Sequence, residues 1–133
     1  MNLLISCDNN FLKPVASMLY SFSKHHKDEQ VNVYCASWNG ENDPTENLDN
    51  ILQFCKNIRV IPLQIPNLPQ YKNIDCKRWN NIILLRLLAP FYLPDNVERL
   101  LYIDGDIIFR NNIKDFYNVM IIIWSILREL TLM

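Results

Sequence analysis

Short apolar runs alternate with amphipathic stretches along most of this chain. Leu3-Leu4-Ile5-Ser6-Cys7 is a continuous apolar run that stops at Asp8-Asn9-Asn10, the pattern of a buried strand entering a polar turn. Pro14 fits the first turn of a helix, where a missing N–H costs little, and Val15, Met18, Leu19 and Phe22 recur at helical spacing. That helix exits through His25-His26-Lys27-Asp28, which reads as a solvated terminus. Val31 to Ala36, rich in β-branched and aromatic residues, is a second strand. Thr45 opens a second helix behind Pro44, with Leu48, Ile51, Leu52 and Cys55 on one face, and Ile58-Arg59-Val60-Ile61 is a third strand. Three prolines between Pro62 and Gln70 predict a loop that leaves the sheet edge. Trp79 to Tyr92, apolar nearly all round, predicts a helix buried on more than one side and stopped by Pro94-Asp95-Asn96. Leu100-Leu101-Tyr102-Ile103 is a fourth strand, broken at Asp104-Gly105-Asp106 before a further extended run, Ile107-Ile108-Phe109.

Strands that alternate with helices and read as unbroken apolar runs imply an α/β fold, with a parallel, doubly wound sheet covered on both faces. Such sheets bind their ligands outside the carboxyl ends of the strands, at a topological switch point. Here those ends carry Asp8-Asn9-Asn10 and Asp104-Gly105-Asp106.

Composition narrows the class. With 133 residues, 50% hydrophobic and 20% charged, the chain is one domain with ample core, neither disordered nor a disulfide-stapled miniprotein. A net charge of -1 provides no electrostatic footprint for nucleic acid. Two glycines against seven prolines exclude a glycine-rich phosphate loop, so any phosphate must be held differently. The four cysteines, Cys7, Cys35, Cys55 and Cys76, form no CxxC pair and read as reduced, mostly buried thiols. The N-terminus lacks the basic region of a signal peptide, and the apolar stretches 82–93 and 119–127 fall short of the roughly 20 residues of a membrane span. The expectation is a cytoplasmic protein, at most peripheral to the membrane.

Asp104 and Asp106 carry the most specific chemistry. In an extended segment positions i and i+2 share a side, so both carboxylates face one spot, and the intervening Gly105 permits close approach. Two such carboxylates repel unless a cation joins them, and hard oxygen ligands suit Mg²⁺ or Mn²⁺, which complete their shells with substrate phosphates. The competing reading is a hairpin turn, since Asp-Gly is a frequent turn dipeptide and apolar residues lie on either side.

In order along the chain, Leu3 to Phe11, the helix Val15 to Ser21, Asn80 to Leu88 with Arg86, and Leu100 to Ile108 resemble family 8 glycosyltransferases, over Met1 to about Asn118. The resemblance implies a GT-A fold, a Rossmann-like, mainly parallel sheet flanked by helices. It also implies a retaining transfer of hexose from a UDP-sugar, UDP-galactose or UDP-glucose, to an acceptor, which could be a saccharide, a lipid-linked group or a protein. On this resemblance Asp104 and Asp106 hold Mn²⁺ or Mg²⁺ bridging the UDP diphosphate. Asp8 and Asn10 bond the uracil edge, Phe11 stacks on the base, and Ser6 and Cys7 lend backbone groups to the nucleotide. Gly105 belongs to the same motif, and Arg86 matches an arginine near the sugar and the carboxylates. A guanidinium among Leu84, Leu85, Leu87 and Leu88 needs an acidic partner unless it snorkels to the surface.

The family's acceptor site, a downstream carboxylate or amide, and a histidine completing the metal shell lie beyond the Asp-x-Asp strand, and this chain stops at Met133. Residues 119–133 form an atypical apolar tail, for which a natural truncation, a frameshifted gene end and a closing helix all fit. The sequence therefore predicts a nucleotide-binding portion over 1–118, retained UDP and metal binding, impaired transfer, and self-association through the tail. Two other readings compete: a haloacid-dehalogenase-like phosphatase with Asp104 as nucleophile, and a non-catalytic nucleotide-binding fragment.

Overall fold

The computed structural model describes residues 1–39, 41, 43–77 and 81–119. Among them, strands β1 (Asn2–Ser6), β2 (Val31–Trp38), β3 (Ile58–Ile65) and β4 (Leu101–Tyr102) form one sheet. Its order is β3-β2-β1-β4, and every pairing is parallel. The period-2 alternation of side chains assigns β1 and β2 residues to two cores. Leu3, Ile5, Cys7, Val33 and Cys35 pack with the first and second helices, α1 (Leu12–His25) and α2 (Thr45–Ile51). Leu4, Tyr34, Ala36 and Trp38 pack on the opposite face against Leu85 and Ala89. The sheet is thus covered on both faces, as its uninterrupted apolar runs imply.

Helix α1 presents Val15, Met18, Leu19 and Phe22 to the sheet, all with no exposed surface. At about 1.5–3 kcal/mol per buried side chain, this stripe fixes the helix far more firmly than its propensity does. Helix α2 buries only Leu48 within its length; it ends at Ile51, which faces solvent at 49% exposure, while Leu52 and Cys55 turn inward beyond it.

Several expected boundaries differ. Strand β3 runs through Pro62 to Ile65 rather than ending at Ile61, pairing Cys35 with Pro62 and Trp38 with Ile65. An edge strand bonds one neighbour only, so a missing N–H directed away from the sheet costs no ladder bond. The expected loop also contains a short helix, α3 (Pro69–Lys72). The helix expected over 79–92 is three short pieces: a 3₁₀ turn at Asn81–Leu84, α4 (Leu85–Leu88), and a 3₁₀ turn at Ala89–Tyr92. Pro90 accounts for the second break, since it lacks the N–H of a continuing α-helix and clashes with the preceding turn. Among its described residues only Leu85 and Ala89 are buried, and Leu87 and Phe91 are largely exposed. Trp79 lies outside the described residues.

The fourth strand is two residues long, extended by a bond from the Ile103 N–H to the Leu4 carbonyl (3.0 Å). The run Ile107 to Phe109 joins no strand. It crosses α1 instead: the Phe109 N–H donates to Ser21 Oγ (2.9 Å), and the Phe109 ring meets Phe22 edge-on at 4.9 Å. His26 anchors the same crossing and is not the solvated terminus expected of it. It is 1% exposed, stacks on Phe22 at 3.9 Å, contacts the Phe22 carbonyl through Nδ1 (2.8 Å), and accepts from the Ile113 N–H at Nε2 (2.9 Å). Those partners fix the tautomer, because the nitrogen facing a carbonyl must carry the hydrogen. The chain then enters α5 (Lys114–Val119), whose buried Tyr117 hydroxyl accepts from the Asn2 N–H (2.8 Å) and donates to the Arg99 carbonyl (3.2 Å).

All four cysteines are free, and Cys7, Cys35 and Cys55 are buried, as expected. The Cys35 thiol is pushed well up by its hydrogen bond with Cys7 and by burial. Among the described residues no helix is long and apolar enough to cross a membrane. The apolar tail beyond Val119, with its expected self-association, lies outside the described residues.

Candidate functional site

The sheet order reverses at β1, since β2 lies on one side of it and β4 on the other. The crevice at the carboxyl ends of β1 and β4 is therefore the switch point at which a ligand site is expected. Strand β1 ends at Ser6, followed by the buried Cys7 and by Asp8. Asp8 Oδ1 accepts from the N–H groups of Asn10 (3.0 Å) and Phe11 (3.2 Å), capping a 3₁₀ turn at Asn9–Phe11 that leads into α1. This side chain thus does build a turn, through one oxygen, which leaves Oδ2 for another partner. Asn10 and Phe11 are exposed, Phe11 at 41%.

Across the crevice, β4 delivers Tyr102 and then Asp104-Gly105-Asp106. Gly105 and Asp106 form a turn rather than extended chain, so the two carboxylates are brought together by the turn and not by strand alternation. The turn does not open a hairpin, because among the described residues β4 pairs only with β1 and residues 107–119 pair with no strand. The Tyr102 hydroxyl donates to Asp104 Oδ1 (2.9 Å). Burial, then this contact with the carboxylate, raises the phenol pKa above its ordinary value. The Arg86 guanidinium lies 5.7 Å from the centroid of the Tyr102 ring. Arg86 is exposed at the lip of the crevice rather than buried among its leucines, so its charge needs no buried partner.

Gly105 has a specific steric reason. A Cβ there would stand 2.5 Å from Val15 Cγ2 and 3.2 Å from Phe11 Cε1. Val15 is fully buried and β-branched, so it cannot swing aside. Gly105→Ala is expected to destabilise the fold by about 1–3 kcal/mol in urea unfolding, and Val15→Ala in the same chain to recover part of that loss.

Ser6, Cys7, Asp8, Asn10, Phe11, Arg86, Asp104, Gly105 and Asp106 all border one cavity of about 640 Å³, together with Tyr102, Ile82 and Ile83. The sequence reading missed the last three as site residues. Tyr102 was detectable, being two residues before Asp104 in a strand and so on its face. Ile82 and Ile83 carry no such signal, since their pattern is that of any buried helix.

Donor chemistry tests whether a cation fits. Asp104 and Asp106 are exposed carboxylates on one cavity wall, and among the described residues no third His, Cys, Asp or Glu completes a ligand cluster. A hard divalent ion such as Mg²⁺ commonly takes one or two carboxylates and fills the remaining positions with water and substrate phosphate. The pair fits that requirement and would not serve as a closed structural site.

Two solved structures of the galactosyltransferase LgtC, an active-site mutant and a complex with donor and acceptor sugar analogs, share this fold. Each superposes with a TM-score of 0.64 at 17% identity, covering 87% of this chain and 41% of LgtC. The chain thus spans about two-fifths of the length of these structural relatives. No curated protein matches the sequence. The profile of glycosyl transferase family 8 matches residues 2–122, a span containing both walls of the crevice and every site residue described above, and the chain belongs to that family.

Proposed function

We propose that this chain is the nucleotide-sugar-binding portion of a retaining, metal-dependent hexosyltransferase that uses a UDP-hexose donor. The observation that carries the reading is the convergence of the two Asp-bearing turns, from opposite ends of the chain, on one cavity at the switch point. Asp104 and Asp106 would hold Mn²⁺ or Mg²⁺. When bound, that ion supplies positive charge against the diphosphate as UDP departs.

The chain's own residues do the rest. Asp8 Oδ2 and the Asn10 amide offer an acceptor and a donor–acceptor pair, which suit a uracil edge presenting both N–H and carbonyl groups. The Phe11 ring, open to solvent on the cavity wall, offers a stacking face for the base. Arg86 brings a permanent positive charge to the same cavity, where it would orient the sugar and diphosphate and stabilise the developing negative charge. Tyr102 is a positioning residue, holding Asp104 through its hydroxyl. The phosphatase reading, with Asp104 as nucleophile, finds no support in the family match.

Calorimetric titration with UDP tests this proposal. Binding is expected with Mn²⁺ present and is expected to be lost on chelation with EDTA; binding of equal strength under both conditions would remove the metal from the site.

A further inference from the structure

At the amino ends of the strands, opposite the crevice, an open cavity of about 390 Å³ lies between the end of α1, the turn before β2 and the turn before β3. Lys24, Lys27 and Lys56 line it with the rings of Tyr20 and Phe54, and no acidic side chain does. All three lysines are exposed, and among the described residues none of them forms an ion pair. Asp28 and Glu29 follow Lys27 directly, but neither lines the cavity, and Glu29 is bonded to Lys114. The net charge of -1 conceals this local concentration of positive charge.

The residue types narrow what the face could meet. A helix C-terminus attracts cations, which accounts for Lys24 in the last turn of α1 and not for Lys56, brought in from another element. Phe54 is 83% exposed and Tyr20 52%, so the fold itself gives the Phe54 ring almost no cover. A protruding ring beside several lysines suits a lipid interface, where the ring enters the headgroup region and flexible ammonium groups reach anionic phosphates. Bidentate recognition of a single carboxylate or phosphate favours arginine instead, and no arginine lines this cavity.

We infer that this face docks on an anionic membrane surface, with Phe54 entering the interface and Lys24, Lys27 and Lys56 facing the headgroups. The inference uses no residue of the nucleotide site and stands independently of the proposed function. The strands are parallel, and β2 and β3 are each eight residues long, so their carboxyl ends lie about 26 Å along the sheet from this face. A chain docked in this way holds its crevice toward water.

Co-sedimentation of the full chain with vesicles of phosphatidylcholine, with and without phosphatidylglycerol, tests the inference. Binding is expected to the anionic vesicles only, and it should weaken as salt rises. Changing Lys24, Lys27 and Lys56 to Gln should cost about fivefold per residue, on the order of 100-fold for the triple variant. Phe54→Ser should lower binding about tenfold without altering its salt dependence. Every side chain changed is exposed, so the urea midpoints should match that of the parent.

Undiminished binding by the triple variant would overturn the inference, by placing the lipid contact elsewhere on the chain. Equal binding to neutral vesicles, or binding to neither kind, would do the same. Parent-like binding by Phe54→Ser would remove the ring from the interface and the proposed docking with it. Release of the bound chain by inorganic phosphate, at an ionic strength matched with chloride, would also overturn it, by showing a site for free phosphate rather than for a membrane.

Discussion

Changing Asp104 and Asp106 together to Asn is expected to weaken UDP binding in the presence of Mn²⁺ by on the order of 100-fold or more. The magnitude follows from two charge-assisted contacts of about 1.5–3 kcal/mol each, at 1.4 kcal/mol per tenfold. Asn keeps the shape of Asp and a carbonyl oxygen, so the change isolates charge. Both side chains are exposed, and the bond that Asp104 accepts from the Tyr102 hydroxyl can be kept by the amide oxygen. The variant should therefore fold as the parent does, with matching urea midpoints. A parent-like affinity in a folded double variant would mean that the carboxylates do not hold the bridging ion.

His26→Ala is expected to cost about 2–5 kcal/mol of stability, measured by urea unfolding. The substitution removes a fully packed ring that stacks on Phe22, and it strips partners from the Phe22 carbonyl and the Ile113 N–H. Its neighbour His25 is exposed, and His25→Ala should stay within about 0.5 kcal/mol of the parent. The contrast matters for the site because Phe109 to Lys114, the segment His26 fastens to α1, follows directly from the Asp106 turn. Loosening that fastening should also weaken UDP binding with Mn²⁺, by less than the double Asp change. Equal, small effects of the two histidine substitutions would show that the crossing is held elsewhere.

His26 also marks where sequence reasoning stopped. A histidine pair beside Lys27 and Asp28 at a helix end has the composition of a solvated terminus. Its burial is set by residues 109–113, more than 80 positions away, and no local pattern encodes that contact. Pro62 shows the same limit from the other side. Proline reads as a strand breaker until the strand is known to be an edge, and edge position is a property of the whole sheet. The stretch 79–92 reads as one helix because its apolar content is high, yet much of that surface is exposed in the short pieces described. Apolar content without periodicity does not distinguish a buried helix from a series of turns.

What local pattern does encode was legible: the parallel sheet, the apolar stripe of α1, and the two polar turns that end β1 and β4. The site followed from the general rule that such sheets bind ligands where strand order reverses. That rule pairs Asp8 with Asp104, nearly a hundred positions apart, and the fold places both on one cavity.

Electron paramagnetic resonance of Mn²⁺ tests the central claim most directly, because the six-line signal of the free aqueous ion disappears when the ion is immobilised. Mn²⁺ with UDP and the unaltered protein should lose this signal in a saturable manner. The Asp104→Asn, Asp106→Asn protein should leave the signal as it is with UDP alone. Equal loss of signal with both proteins would place the ion elsewhere and refute the assignment of the Asp104-Gly105-Asp106 turn.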